Sequence, residues 1–228
     1  MKIILTAMMC ALLAAAGNAA DTEMKKDLQT FPAKGITGVN IRTNSALIHV
    51  ESAPVAGILV EQLPDNARAC NVTVKVSDGR LILKALDKSG EYNDIKTGFR
   101  VQLPPGLSIT AITNSGDIEF RNVGGFIEAK TNSGDIGLDS VSGSLNATTN
   151  SGDISGAFSS PAISKAITLK TTSGDIAVTF PETAAIAVDA ATSNGKLHNE
   201  FSGKAGLPVA ARSTSGDISI TKAVNPVF

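Results

Sequence analysis

Apolar residues return at every second position in short stretches of this chain, and the stretches themselves recur around a fixed phrase. The phrase is Thr-Asn-Ser-Gly-Asp-Ile at 113–118, 131–136 and 149–154, with close variants at 171–176, 192–197 and 213–218. Its glycines are Gly116, Gly134, Gly152, Gly174, Gly195 and Gly216, so the steps are 18, 18, 22, 21 and 21 residues. Seven residues before each glycine stand Ile109, Ile127, Leu145, Ile167, Val188 and Val209, and five before stand Ala111, Ala129, Ala147, Leu169, Ala190 and Ala211. Three before stand Thr113, Thr131, Thr149, Thr171, Thr192 and Ser213, and one before stand Ser115, Ser133, Ser151, Ser173, Asn194 and Ser215. Alternation with period two places these columns on one face of a strand, which predicts an inward face narrowing toward a corner.

After the glycine the phase changes. Ile118, Ile136, Ile154, Ile176, Leu197 and Ile218 lie two residues on, and Phe120, Leu138, Val178 and Ile220 lie four on. With the serines inward, one extra residue has to be absorbed at Ser-Gly-Asp. A glycine at positive φ with an Asp bonded to its own nearby backbone accounts for that bend. A period near 20 residues is the mark of a stacked repeat. Each copy spans roughly 60–70 Å of extended path, enough for two or three short strands with their corners. The expected fold is all-β, a single-chain β-solenoid (β-helix-like) of 18–22-residue Ser-Gly-Asp-Ile repeats, with like positions about 4.8 Å apart. The insertion from Gly156 to Ala162 is expected to bulge outward. An antiparallel meander is the structural rival, because Ser-Gly-Asp can also close a hairpin.

The first third of the chain is looser. Val39, Ile41, Thr43, Ser45, Ile48 and Val50 keep the register with Ala46-Leu47 in place of Gly-Asp, which predicts a degenerate first coil. Strand-like runs flank Ser77-Asp78-Gly79, a hairpin signal. The expected organisation is a signal peptide over 1–19, a lead arm over 20–34, the degenerate coil and cap strands over 35–108, and the repeat solenoid over 109–228. Lys2, the apolar run Ile3 to Ala16 and Gly17-Asn18-Ala19 carry the signal-peptide expectation. In Ala7-Met8-Met9 before Cys10, the two methionines next to the cysteine stand where a lipidation site has small side chains.

Composition narrows the function classes. Cleavage after Ala19 leaves about 209 residues with 19 basic and 21 acidic side chains, a net charge of −2, which argues against nucleic-acid partners. Cys70 then stands alone, so no internal disulfide is expected, and it reads as a small buried hydrophobe. Trp is absent and Tyr single, which disfavours aromatic platforms for sugars or bases.

The run Phe99-Arg-Val-Gln-Leu-Pro-Pro-Gly-Leu-Ser-Ile, followed by repeated Ser-Gly-Asp-Ile, resembles the bacterial β-strand-repeat proteins grouped as putative adhesins, domain of unknown function 4097. The resemblance covers about residues 35–222. It implies a secreted or envelope β-solenoid and supplies no catalytic residues. Lys196-Leu197 and the Ala46-Leu47 coil depart from the pattern.

Candidate chemistry is sparse. Asp117, Asp135, Asp153, Asp175 and Asp217 form a column that Lys196 interrupts. The first four are a candidate cation ladder, since hard cations take oxygen ligands. The bland reading is turn capping in water, where carboxylates about 5 Å apart repel by only about 1 kcal/mol. The Thr and Ser columns are expected inward, bonding coil to coil rather than forming an ice-binding face. Their outward neighbours Ile112, Lys130, Thr148, Lys170, Ala191 and Arg212 look irregular. Asn114, Asn132 and Asn150 suit a structural amide ladder. His49 and His198 are far apart, and no hydrolase, P-loop or zinc motif occurs, so no catalytic residue and no cofactor is expected. Phe228 alone does not make an outer-membrane barrel, which needs longer strands and aromatic girdles. The expected role is a non-enzymatic exported envelope protein, in the periplasm or at the cell surface, making adhesin-like contact with a protein or polysaccharide partner. The alternatives are a periplasmic or envelope-stress scaffold and a cation-dependent carbohydrate-active protein.

Overall fold

The structure, a computed structural model, describes residues 28–63, 71–86, 97–159, 165–203 and 205–223. The signal-peptide run, Cys10, Cys70 and Phe228 lie outside them. The described residues are all-β, with 19 strands in two sheets and no helix. In chain order the first strands are β1 (Leu28–Pro32), β2 (Gly38–Arg42), β3 (Ile48–Ser52), β4 (Gly57–Leu63), β5 (Asn71–Ser77), β6 (Arg80–Leu86) and β7 (Gly98–Leu103). The repeats supply β8 (Ser108–Ile112), β9 (Ile118–Arg121), β10 (Phe126–Lys130), β11 (Ile136–Val141), β12 (Ser144–Thr148), β13 (Ile154–Phe158), β14 (Ile167–Lys170) and β15 (Ile176–Pro181). The last are β16 (Ile186–Asn194), β17 (Leu197–Asn199), β18 (Leu207–Ser215) and β19 (Ile218–Ala223).

Each copy contributes one strand before its corner and one after it. Strands before the corner build one sheet and those after it build the other. Neighbouring copies pair in parallel at equivalent positions. Ile127 stands between Ile109 and Leu145, Ala129 between Ala111 and Ala147, and Ile136 between Ile118 and Ile154. Parallel pairing of successive copies excludes the meander, whose neighbours run oppositely. The arrangement is solenoid-like. Outside the fifth copy, whose Val188 and Ala190 are half-buried and Leu197 exposed, the apolar inward columns are buried and form one continuous core between the sheets.

The first third joins the same stack. Val39 and Ile41 of β2 pair with Ile109 and Ala111, while Ile48 and Val50 of β3 pair with Ile118 and Phe120. Beyond them the pairing turns antiparallel, with β5 on β6 and β1 on β4 on β7. The β5–β6 hairpin turns at Asp78 (φ 51°) and Gly79 (φ 71°), the two positive angles that a type I′ turn requires.

Three expectations need correction. The serine column is not inward: Ser115, Ser133, Ser151, Ser173 and Ser215 are exposed, as is Asn194. The inward residues on either side of the corner are the Thr and the Ile, such as buried Thr131 and Ile136, so Asn-Ser-Gly-Asp together make the bend. Strand alternation simply stops at the threonine. The inserted segment is also not a bulge at its start. Gly156 pairs with both Leu138 and Val178 inside β13, and 160–164 lie outside the described residues.

Finally, the copies do not stack in chain order. β18 lies between β14 and β16, and β19 between β15 and β17. The sixth copy therefore sits on the fourth, and the fifth forms the end of the stack. Composition explains the choice. The sixth copy offers Ile218 and Ile220, both buried, where the fifth offers exposed Leu197 and Asn199. Asn199 instead closes a local turn, donating to Phe201 O at 2.9 Å and accepting from Phe201 N at 3.0 Å. Phe201 then covers the core, edge-on to Phe180 at 6.1 Å between centroids.

Ile136 is fully buried and Asn132 is exposed. Ile136→Asp is expected to cost about 4 kcal/mol or more and to abolish cooperative melting, because a lone charge enters the core. Asn132→Asp is expected to stay within about 0.5 kcal/mol. Equal, small shifts in the melting temperature for both would contradict the inward assignment.

Candidate functional site: the repeat corner and its groove

At the corner each coil reaches back to the coil below. Thr131 Oγ1 donates to Gly116 O, Thr149 to Gly134 O and Thr171 to Gly152 O, at 2.9–3.0 Å. Ser213 donates to Gly174 O and Thr192 to Gly216 O in the same way. Thr131, Thr149, Thr171 and Ser213 are buried and Thr192 is half-buried, and the bond satisfies the hydroxyl at a net gain of about 1 kcal/mol each.

Close contact requires all the corner glycines, whatever their φ. Gly174 (φ 158°) and Gly216 (φ 148°) are also at positive φ, and Gly116, Gly134, Gly152 and Gly195 are not. A Cβ on Gly134 would stand 2.2 Å from Gly116 O, and one on Gly152 would stand 2.1 Å from Gly134 O. Gly174, Gly195 and Gly216 meet the same obstacle at 2.0–2.1 Å. The positive φ expected at the bend is found at Gly174 and Gly216 only, and the feature common to all six corners is a close stacking of backbone on backbone.

The Asp column has a different task from the one its spacing suggests. Asp117 Oδ1 accepts the backbone N–H of Asp135 at 2.9 Å, not a bond from its own turn. Asp135 accepts from Asp153, Asp153 from Asp175 and Asp175 from Asp217, at 2.7–2.8 Å. Asp217 accepts from Lys196 N at 2.7 Å. Lys196 therefore does not interrupt the column; it ends it. Among the described residues no coil follows to donate to a carboxylate there, so Asp is dispensable at that copy. Among the described residues, no group of three His, Cys, Asp or Glu side chains is placed to hold a metal ion.

The two histidines each face a carboxylate. His49 Nδ1 lies 2.9 Å from Glu119 Oε2, and His198 Nε2 lies 3.5 Å from Glu200 Oε1. Glu200 also accepts the Lys222 backbone N–H at 2.7 Å, and this bond, helped by His198, holds its carboxyl below the usual range. A lowered carboxylate favours the folded state at neutral pH and loses that effect as pH falls through its folded value.

Beside the corner runs an open groove of about 730 Å³. Arg42, Lys130 and Lys170 line it together with Asn44, Asn114, Asn132 and Asn150. The row that looked irregular in the sequence becomes ordered once the pairing is known. Across the sheet it reads Lys84, Arg42, Ile112, Lys130, Thr148, Lys170, Arg212, Ala191. Arg212 is held by Asp189. Arg42, Lys130 and Lys170 are exposed, make no ion pair among the described residues, and stand on every second strand, about 10 Å apart. The Asn column forms no amide ladder. Its coil-to-coil bonds are backbone ones, such as Asn132 N to Asn114 O at 3.1 Å. The signal for the groove was present at Lys130 and Lys170, but Arg42 lay in a copy without the Gly-Asp phrase.

Parallel coils bonded through one corner define a solenoid-like all-β protein. A family model for Toastrack, domain of unknown function 4097, matches residues 28–221, and the chain belongs to that family. Three solved structures, each named as putative, are similar to it. A cell adhesion protein of Clostridium sporogenes is 14% identical, with 87% of this chain and 99% of that chain covered and a TM-score of 0.49. An adhesin of Bacteroides fragilis is 19% identical, with 88% and 98% covered and a TM-score of 0.47. A lipid binding protein of Parabacteroides distasonis is 16% identical, with 89% and 98% covered and a TM-score of 0.29. No curated protein matches the chain.

Gly134→Ala is expected to lower stability by about 2 kcal/mol or more, since its Cβ meets backbone. Gly106→Ala, at φ 90° with open space around it, is expected to cost about 1 kcal/mol. Equal losses in urea titrations would remove the close-approach argument. Asp153→Ala is expected to cost about 1 kcal/mol and Lys196→Ala close to none. The Asp153→Ala shift should be the same in calcium as in chelator; a calcium-dependent shift would restore the cation ladder.

Proposed function

We propose that this protein is a non-enzymatic, exported component of the cell envelope that acts by adhesin-like surface contact. In this reading the chain is a single β-solenoid whose coils are the 18–22-residue Ser-Gly-Asp-Ile copies. The observation that carries the proposal is the groove at the corner. Small-molecule sites gather a few polar groups at one point. Here the same kinds of group recur coil after coil along one line, which suits an extended partner lying along the stack. Export is supported by the apolar run from Ile3 to Ala16 and the small residues after it. No helix among the described residues is long and apolar enough to cross a membrane.

A non-catalytic role is supported by how the polar side chains are used. The Asp column is engaged in coil-to-coil bonds, and both histidines sit beside glutamates. The partner in this reading is a protein or polysaccharide of the envelope or a neighbouring cell surface, with no cofactor and no nucleic acid.

Two measurements test it. Labelled full-length protein should bind intact cells or isolated envelopes saturably; absence of saturable binding to either would sink the proposal. Protease added to intact cells should digest the native protein if it faces outward. Protection until the envelope is broken would make it periplasmic and favour an envelope scaffold over adhesion.

A further inference from the structure

We propose that the groove binds a linear acidic polysaccharide whose carboxylates recur at every second sugar. The proposal rests on the envelope-contact reading and names the ligand class of the same groove.

The charge pattern points to a polyanion of low charge density. The whole chain carries a formal net charge of −1, so the row of cations is a local concentration and not a bulk excess. Arg42, Lys130 and Lys170 alternate with uncharged Ile112 and Thr148, while Lys84 and the Asp189-bound Arg212 flank this stretch directly beside Arg42 and Lys170. The spacing of the alternating cations, about 10 Å, is two strand steps. A glycan of alternating uronic acid and neutral sugar presents one carboxylate per disaccharide, a comparable interval. The neutral sugars then lie over Ile112 and Thr148.

The second wall supplies recognition that charge alone does not. The side-chain amides of Asn114, Asn132 and Asn150 are exposed and make no hydrogen bond among the described residues. An amide both donates and accepts, which matches the hydroxyls and ring oxygens of a sugar chain. Many backbone donors at this corner are used between coils, such as Asn132 N and Ser133 N on Asn114 O, so side-chain groups, these amides with Thr148 and Thr172, are what the groove offers a ligand.

Other polymers fit less well. A nucleic-acid strand carries a phosphate about every 3.4 Å, far denser than the cations here. It also uses aromatic stacking, and the groove contains no aromatic residue. A neutral glycan lacks a partner for the cations and likewise finds no aromatic face. An extended peptide would look for a free sheet edge, and these strands are paired on both sides.

The test uses the full-length protein with hyaluronate oligosaccharides as the acidic probe. Chitin oligosaccharides serve as the neutral comparator and single-stranded DNA as the denser polyanion. Calorimetric titration should detect hyaluronate at low salt, with affinity falling as sodium chloride rises. Lys130→Gln with Lys170→Gln should lower that affinity by about tenfold or more, and the double Arg variant should retain it. Arg121→Gln, on the other sheet, should change nothing, and the melting temperatures of all variants should agree. Equal affinity for chitin, DNA binding as tight as hyaluronate with the same loss in the Gln variant, or no hyaluronate binding would each overturn the ligand class. Envelope binding that persists without hyaluronate binding would overturn this inference alone; loss of both would overturn the envelope-contact reading as well.

Discussion

The carbonyl of every corner glycine except Gly195, in the last coil, is touched twice by the next coil. It accepts a threonine or serine hydroxyl, and the next glycine packs so closely over it that a Cβ has no room, as at Gly116 under Thr131 and Gly134. The two contacts depend on each other. Without glycine the backbones separate, and the threonine then holds an unsatisfied hydroxyl inside the core, at a cost of about 1–3 kcal/mol. Everything on the inward face is aligned by this contact, because it sets both the spacing and the register of Ile118, Ile136 and Ile154. The apolar columns provide most of the stabilisation through burial, roughly 1.5–3 kcal/mol for a side chain such as Ile136. The corner decides which residues those are.

The ladder has a direction, and a directed ladder needs an end. From Asp117 onward each carboxylate accepts from the coil above it, so Asp recurs in every repeat except the last in space, while the first coil holds Leu47 at that position and does without it. The coil bearing Lys196 is the last in space though not in sequence. Its half-exposed inward side, Leu197 included, fits the same position, since a terminal coil is packed on one side only. Asn199 and Phe201 then close over a core that would otherwise stay open beside Phe180. At the opposite end antiparallel strands take over, with β5 and β1 outermost.

Much of the fold was legible because strand periodicity and repeat spacing report the same quantity, the side a residue faces. The inward threonines, the hairpin at Asp78-Gly79 and the looser first coil all follow from it. The corner resisted that reading. Serine, asparagine and aspartate are small enough to sit on either side, so alternation carried through Ser133 when the chain had already turned. A glycine chosen for positive φ and one chosen for close approach look identical in sequence, as Gly134 shows. The order of the last two coils was also hidden, because both steps are 21 residues and length does not discriminate. Only Asn199, polar where other copies are apolar, marked the fifth copy as the weaker one to bury.

The same division explains why the groove was the least legible part. Residues that hold the corner together repeat in every copy, since each faces an identical neighbour. The outward row meets no such constraint, so Ile112, Lys130, Thr148 and Lys170 vary freely as far as folding is concerned. Within that row Arg42, Lys130 and Lys170 stand on alternate strands, with Lys84 directly beside Arg42 at one end, and packing does not account for where these cations fall. The mutual repulsion of exposed charges about 10 Å apart is well under 1 kcal/mol in water, too weak to impose that alternation. An extended partner with its own period, lying along the stack, supplies the missing constraint, and it would act on this row while leaving the Asp and Gly columns to the fold.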